Sequence, residues 1–522
     1  MDRDVAVTTA ANGPIHRSAT SASTSTITRM GRGGGLNLVG ALCSQVSMFA
    51  IISILAGLGE REVGRYASCF ALLSLLGLLC LAGFRAAMTR FVAMHVADED
   101  PNRLRGTVNL GLGLTIAASA VIGLALIIGA PWLADVLDDD ELGTGIRLVG
   151  LTLPGATMAD VALAATQGWR TQVPFTVVGR IFDPVTRLGL TALAVAAGLG
   201  VNGALWALVV SSWVSALLSL AALQKRMRSV SRVPARYEVR DIFSFSVVSW
   251  MSALAATGLI WVDTLLLGAM RGQHAVGAYS VATRLVMLGV FVMAPINASF
   301  TPHVAHLIHT NHLEEASRAY GSAARWILML SMPSFIVLVA FGEQLLGYFG
   351  SGFQNAAAVT AILALGQLVS AAAGPCGTVL NMSGRVMLNM LDNVGVLALN
   401  IVLNLVLIPH HGIVGAAVAW SVSLVTANIV KVLQAQFVVG IPAARAGLPK
   451  VAGATFPAVG AAWVVSGWVD TWTDVVLIAA PAVAVVFFGV LAALRLDPED
   501  KALIRSLSRR LAVDRRPVRR QA

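Results

Sequence analysis

The feature that most constrains this chain is the length of its apolar runs. Leu, Val, Ala and Ile gather into blocks of about 18 to 25 residues, the length a helix needs to cross hydrocarbon while satisfying its own backbone polar groups. Composition agrees. Of 522 residues, 57% are hydrophobic and 12% charged, whereas a soluble domain carries roughly 25% charged residues. The expectation is an all-α polytopic membrane protein with about fourteen transmembrane helices. They fall near 36–57, 66–84, 107–130, 148–167, 183–199, 203–223, 244–269, 277–299, 324–342, 357–379, 387–408, 412–433, 450–468 and 474–494. The fifth is the weakest, because Asp183 and Arg187 crowd its start.

The ends read differently. Residues 1–35 include the stretch "TTAANGPIHRSATSASTSTITRMGRGGG", too polar to bury itself and lacking a cleavable signal's apolar core, so a disordered tail is expected. At the other end, "PEDKALIRSLSRRLAVDRRPVRR" sets Leu503, Leu507 and Leu511 among cations. Within the basic tail 495–522 this should form an amphipathic helix on the membrane surface. Cys43, Cys69, Cys80 and Cys376 lie in or beside apolar spans and are read as small packing residues, not a disulfide framework.

Lys and Arg placement sets the orientation. With an even number of spans, one face of the membrane takes all the basic residues except Arg61, Arg65, Arg147, Arg271 and Arg284. The far face holds the acidic loop "DVLDDDELG". Both termini are therefore expected in the cytoplasm, with the chain in the cytoplasmic (inner) membrane. The net charge of +10 then reflects loops facing anionic lipid. Nucleic acid is not an expected partner, since the basic residues are scattered over many loops.

An internal repeat organises the spans. "VGRYA" at 63–67 returns as "VGAYS" at 276–280, "RFVA" at 90–93 as "PHVA" at 302–305, and Arg170 answers to Arg385. "NGALWALVV" from Asn202 resembles "VGAAVAWSV" from Val414. The offset stays near about 213 residues, as expected of parallel repeats related by an axis along the membrane normal. Two pseudo-symmetric six-helix bundles, 36–225 and 241–433, are expected, with two further helices over 450–494. A cleft between such bundles suits a transporter that alternates access around a central site.

Departures from the repeat are candidates for function. Asp263, in "GLIWVDTLLLGAM", and Arg284 have no charged counterpart in the first half. They lie on consecutive antiparallel helices, both roughly 9–11 Å below the outer surface at 1.5 Å per residue, and so can pair. They can equally line a wet cleft, Arg284 meeting a substrate anion and Asp263 a coupling cation. Asp160 sits deeper, near the middle of the fourth span, without an evident neighbour. Asn393, Asn400 and Asn404 share one helical face, where amides serve as interhelical glue or as ligands. Near the cytoplasmic ends, Arg85, Arg90, Arg180, Arg187 and Lys431 can snorkel to headgroups or receive a phosphate bidentately. The substrate or cavity set is thus Asp263, Arg284, Asp160, Asn400, Asn404, Arg85 and Arg90.

Other patterns carry less. His303, His306, His309 and His312 drift around a helix by about 60° per step and cannot converge on one ion; no metal is expected. "DDDE" at 138–141 reads as a solvated turn, because no outer loop is long enough to build a glycosyl transferase site. No "GxxxxGK[ST]" loop occurs, so the chain is not expected to hydrolyse ATP. No cofactor and no enzymatic activity are expected.

On these residues the chain resembles the multidrug/oligosaccharidyl-lipid/polysaccharide exporter superfamily. The carrying stretches are "EVGRYA", "FRAAMTRFVA", "WVDTLLLGAMRGQHAVGAYSVATRLVML" and "NIVLNLVLIPHHGIVGAAVAW". Together they cover roughly residues 36–433, and the last two spans suit the polysaccharide branch. The resemblance implies an O-antigen or exopolysaccharide flippase that moves an undecaprenyl-diphosphate-linked oligosaccharide to the outer leaflet. It also implies that Asp263 and Arg284 match positions where that branch often has charges. Expected partners are the lipid-linked glycan, membrane lipids, H⁺ or Na⁺, and polysaccharide polymerase or glycosyltransferases. A lipid II-type flippase and a cation-coupled multidrug antiporter are the alternatives within the superfamily, and a membrane-embedded glycosyl transferase the alternative outside it.

Overall fold

A helix that reverses at a membrane surface needs a residue that tolerates positive φ, and glycine does so without steric cost. Gly59, at φ 106°, turns the chain between the first two helices. Its repeat mate Gly272, at φ 78° and non-helical, divides the run from Val239 to Gly289 into two helices. The computed structural model describes residues 16–136, 139–291, 293–442 and 448–494, and helices dominate it. The first half contains α1 (His16–Ala56), α2 (Glu60–Leu81), α3 (Phe84–Ala97), α4 (Pro101–Val136), α5 (Asp140–Gly168), α6 (Asp183–Ala196) and α7 (Gly200–Met227). A π-helical run, Phe175–Phe182, leads into α6. The second half holds α8 (Val239–Gly289), α9 (Met293–His309), α10 (Leu313–Ala340), α11 (Gly342–Leu346), α12 (Ala357–Ala373), α13 (Cys376–Met382) and α14 (Val386–Phe437). Then come α15 (Leu448–Val465), α16 (Trp472–Asp474) and α17 (Ala480–Ala493).

Among the described residues, eleven helical runs are long and apolar enough to cross a membrane. Two of them, α8 and α14, each comprise two helices joined at a sharp turn, at Gly272 and Gly412, where loops were expected. The fifth span differs from expectation. Its helix begins with the π-helical run, so Asp183 and Arg187 fall in mid-helix instead of at the start. Their 3.0 Å ion pair, one turn apart, supplies each charge with a partner. At the N-terminus, α1 begins at His16, and residues 16–35 extend it where a tail was expected; propagating a nucleated helix is cheap. Residues 1–15 and the predicted amphipathic helix of 495–522 lie outside the described residues.

Helices in lipid associate mainly through close packing of small residues, and the repeat motif shows this at the seam between halves. A methyl group on Gly64 would sit 1.8 Å from the carbonyl oxygen of Gln273. One on Gly277 would sit 1.9 Å from the carbonyl oxygen of Glu60. The two glycines are repeat mates, and so are Glu60 and Gln273; each half lays its glycine on the other's backbone. At the far end of α2, Trp250 Nε1 donates to the Leu78 carbonyl at 3.0 Å. Helix α2 thus packs against both arms of α8.

Two polar clusters fix the ends of the first half. Near the acidic turn, Arg65 is 3% exposed and donates to Asp139 at 3.0 and 3.2 Å, to Glu62 at 2.8 Å, and to Glu141. The "DDDE" turn, expected to be solvated, is therefore partly buried through Asp139, because Arg65 neutralises it. Burial alone would raise the Asp139 carboxyl, but hydrogen bonds and charge from Arg65, then the charge of Arg61, hold it below the usual carboxylate range. At the basic end, the segment joining the halves lies on α3 and α4. Arg105 donates to Ser231 O at 2.9 Å, and Arg103 pairs with Glu238 at 3.1 Å. The cysteines are free, three of them buried.

Candidate functional site

Hydrocarbon solvates a carboxylate so poorly that an acid inside a span needs donors of its own. Asp263 is 1% exposed and has them. Tyr279 Oη donates to its Oδ2 at 3.1 Å, and Asn404 Nδ2 to its Oδ1 at 2.6 Å. Asn404 Nδ2 also lies 3.1 Å from Asn400 Oδ1. One turn apart on α14, both amides are fully buried against the acid. Asn393, on the same face, instead accepts from Lys431 Nζ at 2.7 Å. Within the cluster, Asn404 Oδ1 and Asn400 Nδ2 have no hydrogen-bond partner among the described residues. A carboxylate, two amides and a phenol meet here, groups whose oxygens can hold a proton or, with the Asn404 amide turned over, a small hard cation.

Arg284 is not among the partners of Asp263, contrary to the pairing expected from matched depth. Counted from the bend at Gly272, Arg284 lies almost a helical turn deeper, and the position facing Asp263 is taken by Tyr279. The Arg284 guanidinium instead lies over the Trp261 ring, 5.2 Å from its centroid, and lines a cavity of about 70 Å³ with Thr264, Tyr279 and Thr283. It forms no ion pair among the described residues. Trp261 in turn meets Phe70 of α2, their centroids 5.4 Å apart. Over Phe70 lies Arg187 of α6, at 5.4 Å. The result is a four-membered layer across the seam: Arg187 and Phe70 from the first half, Trp261 and Arg284 from the second. Cation–aromatic contacts of this kind contribute about 0.5–2 kcal/mol each. They use the face of the guanidinium; for Arg284 this leaves the N–H edge free to bind an anion, whereas Arg187 already donates to Asp183.

The first half has a cavity of its own, about 320 Å³, among α2, α5, α6, α7 and α8. Arg85, Asp160, Asp183, Arg187, Ser74 and Ser215 are in its wall. Asp183 pairs with Arg187, and Ser215 Oγ lies 3.4 Å from Asp183 Oδ1. The cavity therefore sets charges of both signs among apolar side chains such as Leu73, Leu78 and Leu208, and can take a hydroxylated or charged group.

Of the residues singled out from sequence, Arg85 and Asp160 share this cavity and Arg284 lines the smaller one. Asp263, Asn400 and Asn404 form a buried cluster behind Tyr279 and line neither. Arg90 is exposed and stacks on Phe245 of α8 at 4.5 Å, away from both cavities. Sequence reasoning gave Tyr279, Phe70 and Trp261 no role, noted Asp183 only as a charge crowding the fifth span, and named Arg187 only among the cations of the cytoplasmic ends. The four-residue spacing of Asp183 and Arg187 signalled their pairing, and Tyr279 stands in the repeat motif itself. Phe70 and Trp261 carried no signal, since aromatic residues inside apolar spans are ordinary.

With this geometry in view, the comparisons with known proteins fall into place. The family model described as Polysaccharide biosynthesis protein matches residues 31–308, and the MatE model matches 249–406. A protein of Haloferax volcanii described as "Probable flippase AglR" is 26% identical over 437 residues, which span 82% of this chain and 87% of AglR. Among solved structures, lipid II flippase MurJ in an inward closed conformation superposes with a TM-score of 0.70 at 12% identity, over 88% of this chain and 98% of MurJ. An inward-facing multidrug resistance MATE family transporter of the MOP superfamily superposes with a TM-score of 0.65 at 16% identity, over 78% of this chain and 98% of that one.

Proposed function

The chain belongs to the polysaccharide biosynthesis protein family, within the MOP superfamily, and from that premise we propose that it flips a polyprenyl-diphosphate-linked oligosaccharide across the cytoplasmic membrane. It is a multi-pass membrane protein and a transporter, not an enzyme. In this reading both termini face the cytoplasm, where glycosyltransferases build the glycan, and a polymerase takes it up on the outer side.

The single observation that carries the reading is the layer formed by Arg187, Phe70, Trp261 and Arg284. A diphosphate must shed water to leave the headgroup region, and charge-assisted hydrogen bonds from guanidinium replace that water. Sugar rings present apolar faces that pack on aromatic side chains. One arginine and one aromatic ring from each half let the headgroup bind between the halves and weaken the aromatic contact as it does so. With Gly64 and Gly277 closing the outer end, the headgroup enters from the basic end. The seam then opens at the glycine contact, and the basic end closes behind the substrate. The lipid tail stays in the bilayer throughout.

The Asp263 cluster supports a coupled ion. Oxygens of Asp263, Asn400, Asn404 and Tyr279 would take H⁺ or Na⁺ from the outer side, and the cation's release would reset the pair of halves. The same cluster favours a second reading, a cation-coupled exporter of drugs. Deletion of the gene separates the two. Loss of surface polysaccharide, with lipid-linked precursor accumulating inside and rescue by wild type but not by Arg284→Gln, is the expected result. Unchanged polysaccharide with lost drug efflux would replace this reading by the other.

A further inference from the structure

Beyond the central layer, two arginines converge where no acid pairs with them. Arg85, at the start of α3, lies 5.6 Å from the centroid of the Phe175 ring, and Arg180, in the π-helical run, lies 5.3 Å from the same centroid. Neither forms an ion pair among the described residues. The backbone beneath Arg180 is fixed. Ser44 Oγ of α1 donates to the Arg180 carbonyl at 2.8 Å, and Thr176 Oγ1 lies 3.0 Å from Asn37 Oδ1. A methyl group on Gly40 would sit 2.6 Å from Thr176 and 3.0 Å from Arg180, so α1 presses directly on this run. A π-helical run inside a helix often marks a functional position; here it supplies both Phe175 and Arg180.

Two like charges near one ring repel each other, and more strongly at a membrane boundary than in water. An anion between the two guanidinium groups would relieve that repulsion. Both guanidinium groups rest on one aromatic ring, which leaves their N–H edges directed elsewhere. Each edge can chelate two phosphoryl oxygens. Arg85 also lines the first-half cavity, and Asp160 is in the same wall. Of the two carboxylates in that wall, Asp183 already pairs with Arg187, and Asp160 is left to oppose an anion there.

The geometry points to Arg85, Arg180 and Phe175 as a first docking station for the diphosphate of a lipid-linked substrate, at the basic mouth of the first half, ahead of Arg284. It rests on the flippase reading for the identity of the lipid, and on the arginine pair for the diphosphate itself. The chemistry recognised is a phosphoryl anion, which an ordinary anionic phospholipid headgroup also carries. Two neighbouring forks suit a diphosphate better than a single phosphodiester.

Equilibrium binding of inorganic pyrophosphate to the full-length purified protein tests this directly. The double variant Arg85→Gln/Arg180→Gln should bind about tenfold more weakly, in line with the loss of two charge-assisted partners. The double lysine variant should recover part of the loss, since it keeps the charge without the fork. Asp160→Asn should bind several-fold more tightly. That change of sign survives even if the arginine variants fold poorly. Wild-type protein that binds no pyrophosphate, or arginine variants that bind it unchanged, would overturn the station. Repeating the measurement in nanodiscs distinguishes the source of the anion. Binding that persists in phosphatidylglycerol supports a diphosphate site, and binding seen only in phosphatidylcholine means that ordinary headgroups fill it and overturns the proposal. Glycan flipping in vesicles, measured alongside, reports on the flippase reading separately: it can fail while pyrophosphate binding stands, and the reverse.

Discussion

The two halves share a scaffold and differ in their chemistry. Gly64 and Gly277 are repeat mates and make the same contact with the opposite half. Tyr66 and Tyr279, two residues further on, are also mates, and their hydroxyls meet different surroundings. Tyr279 donates to Asp263. Tyr66 is fully buried with no aligned hydrogen-bond partner among the described residues, within reach of the charges of Arg187 and Arg284. Backbone contacts cannot vary without separating the halves, so the repeat preserves them. The side chains behind those contacts are free to diverge, and the second half gained a buried acid where the first gained an arginine-lined cavity.

The symmetric part of this comparison is the easiest to break. Gly64→Leu and Gly277→Leu should each reduce transport by roughly a hundredfold, since overpacking a close contact costs about 1–3 kcal/mol or more. Flipping assays on equal amounts of folded protein measure it. If one variant is harmless, the seam is not symmetric in function. The next largest effect concerns the asymmetric part. Arg284→Gln should lower flipping by about tenfold or more without lowering protein yield, because it removes charge-assisted hydrogen bonds to the substrate and no internal ion pair. Exchanging the charges, Asp263→Arg with Arg284→Asp, should not restore activity. Asp263 is held by Tyr279 and Asn404, so the exchange strands a guanidinium among groups arranged for an acid. Recovery in that double variant would mean the two charges serve each other after all.

The tyrosines sharpen the comparison further. Tyr279→Phe removes a donor from the acid and should shift the dependence of transport on Na⁺ or proton concentration several-fold, whereas Tyr66→Phe should leave that dependence in place. Equal shifts would mean the Asp263 cluster has no special link to the ion. The smallest effect belongs to the outer end of the first half. Asp139→Asn should cost on the order of 1–3 kcal/mol at neutral pH, the range for a buried charged partner. Because the Asp139 carboxyl is held below its ordinary value of about 3.9, its contribution is complete above that pH and is lost as the pH falls below it. Thermal unfolding of wild type and variant should therefore differ at pH 7 and converge as the pH falls through the depressed folded-state value of Asp139.

Much of this was legible in advance, for physical reasons. Apolar runs of spanning length specify helices because lipid offers backbone groups no other partner. "VGRYA" and "VGAYS" announced the repeat, and Asp263 stood out because an acid in an apolar run is expensive. The amide spacing of Asn400 and Asn404 also put them on one face, as the structure has them. The partner of Asp263 was not legible, since depth along a helix is readable from sequence and rotation about its axis is not. Residues 260 to 284 alone are consistent with either Arg284 or Tyr279 beside the acid.

By itself, then, the sequence determined the solvent this protein lives in, its helices, its twofold plan and which charges break that plan. Tertiary structure decided which of those charges meet. Packing between halves brought Phe70 to Trp261, set Arg187 and Arg284 on their outer faces, and sent Asp263 toward α14. Such contacts join residues far apart in the chain, and their geometry depends on how each helix is turned about its own axis. That rotation is fixed only when small residues such as Gly64 and Gly277 let the backbones touch.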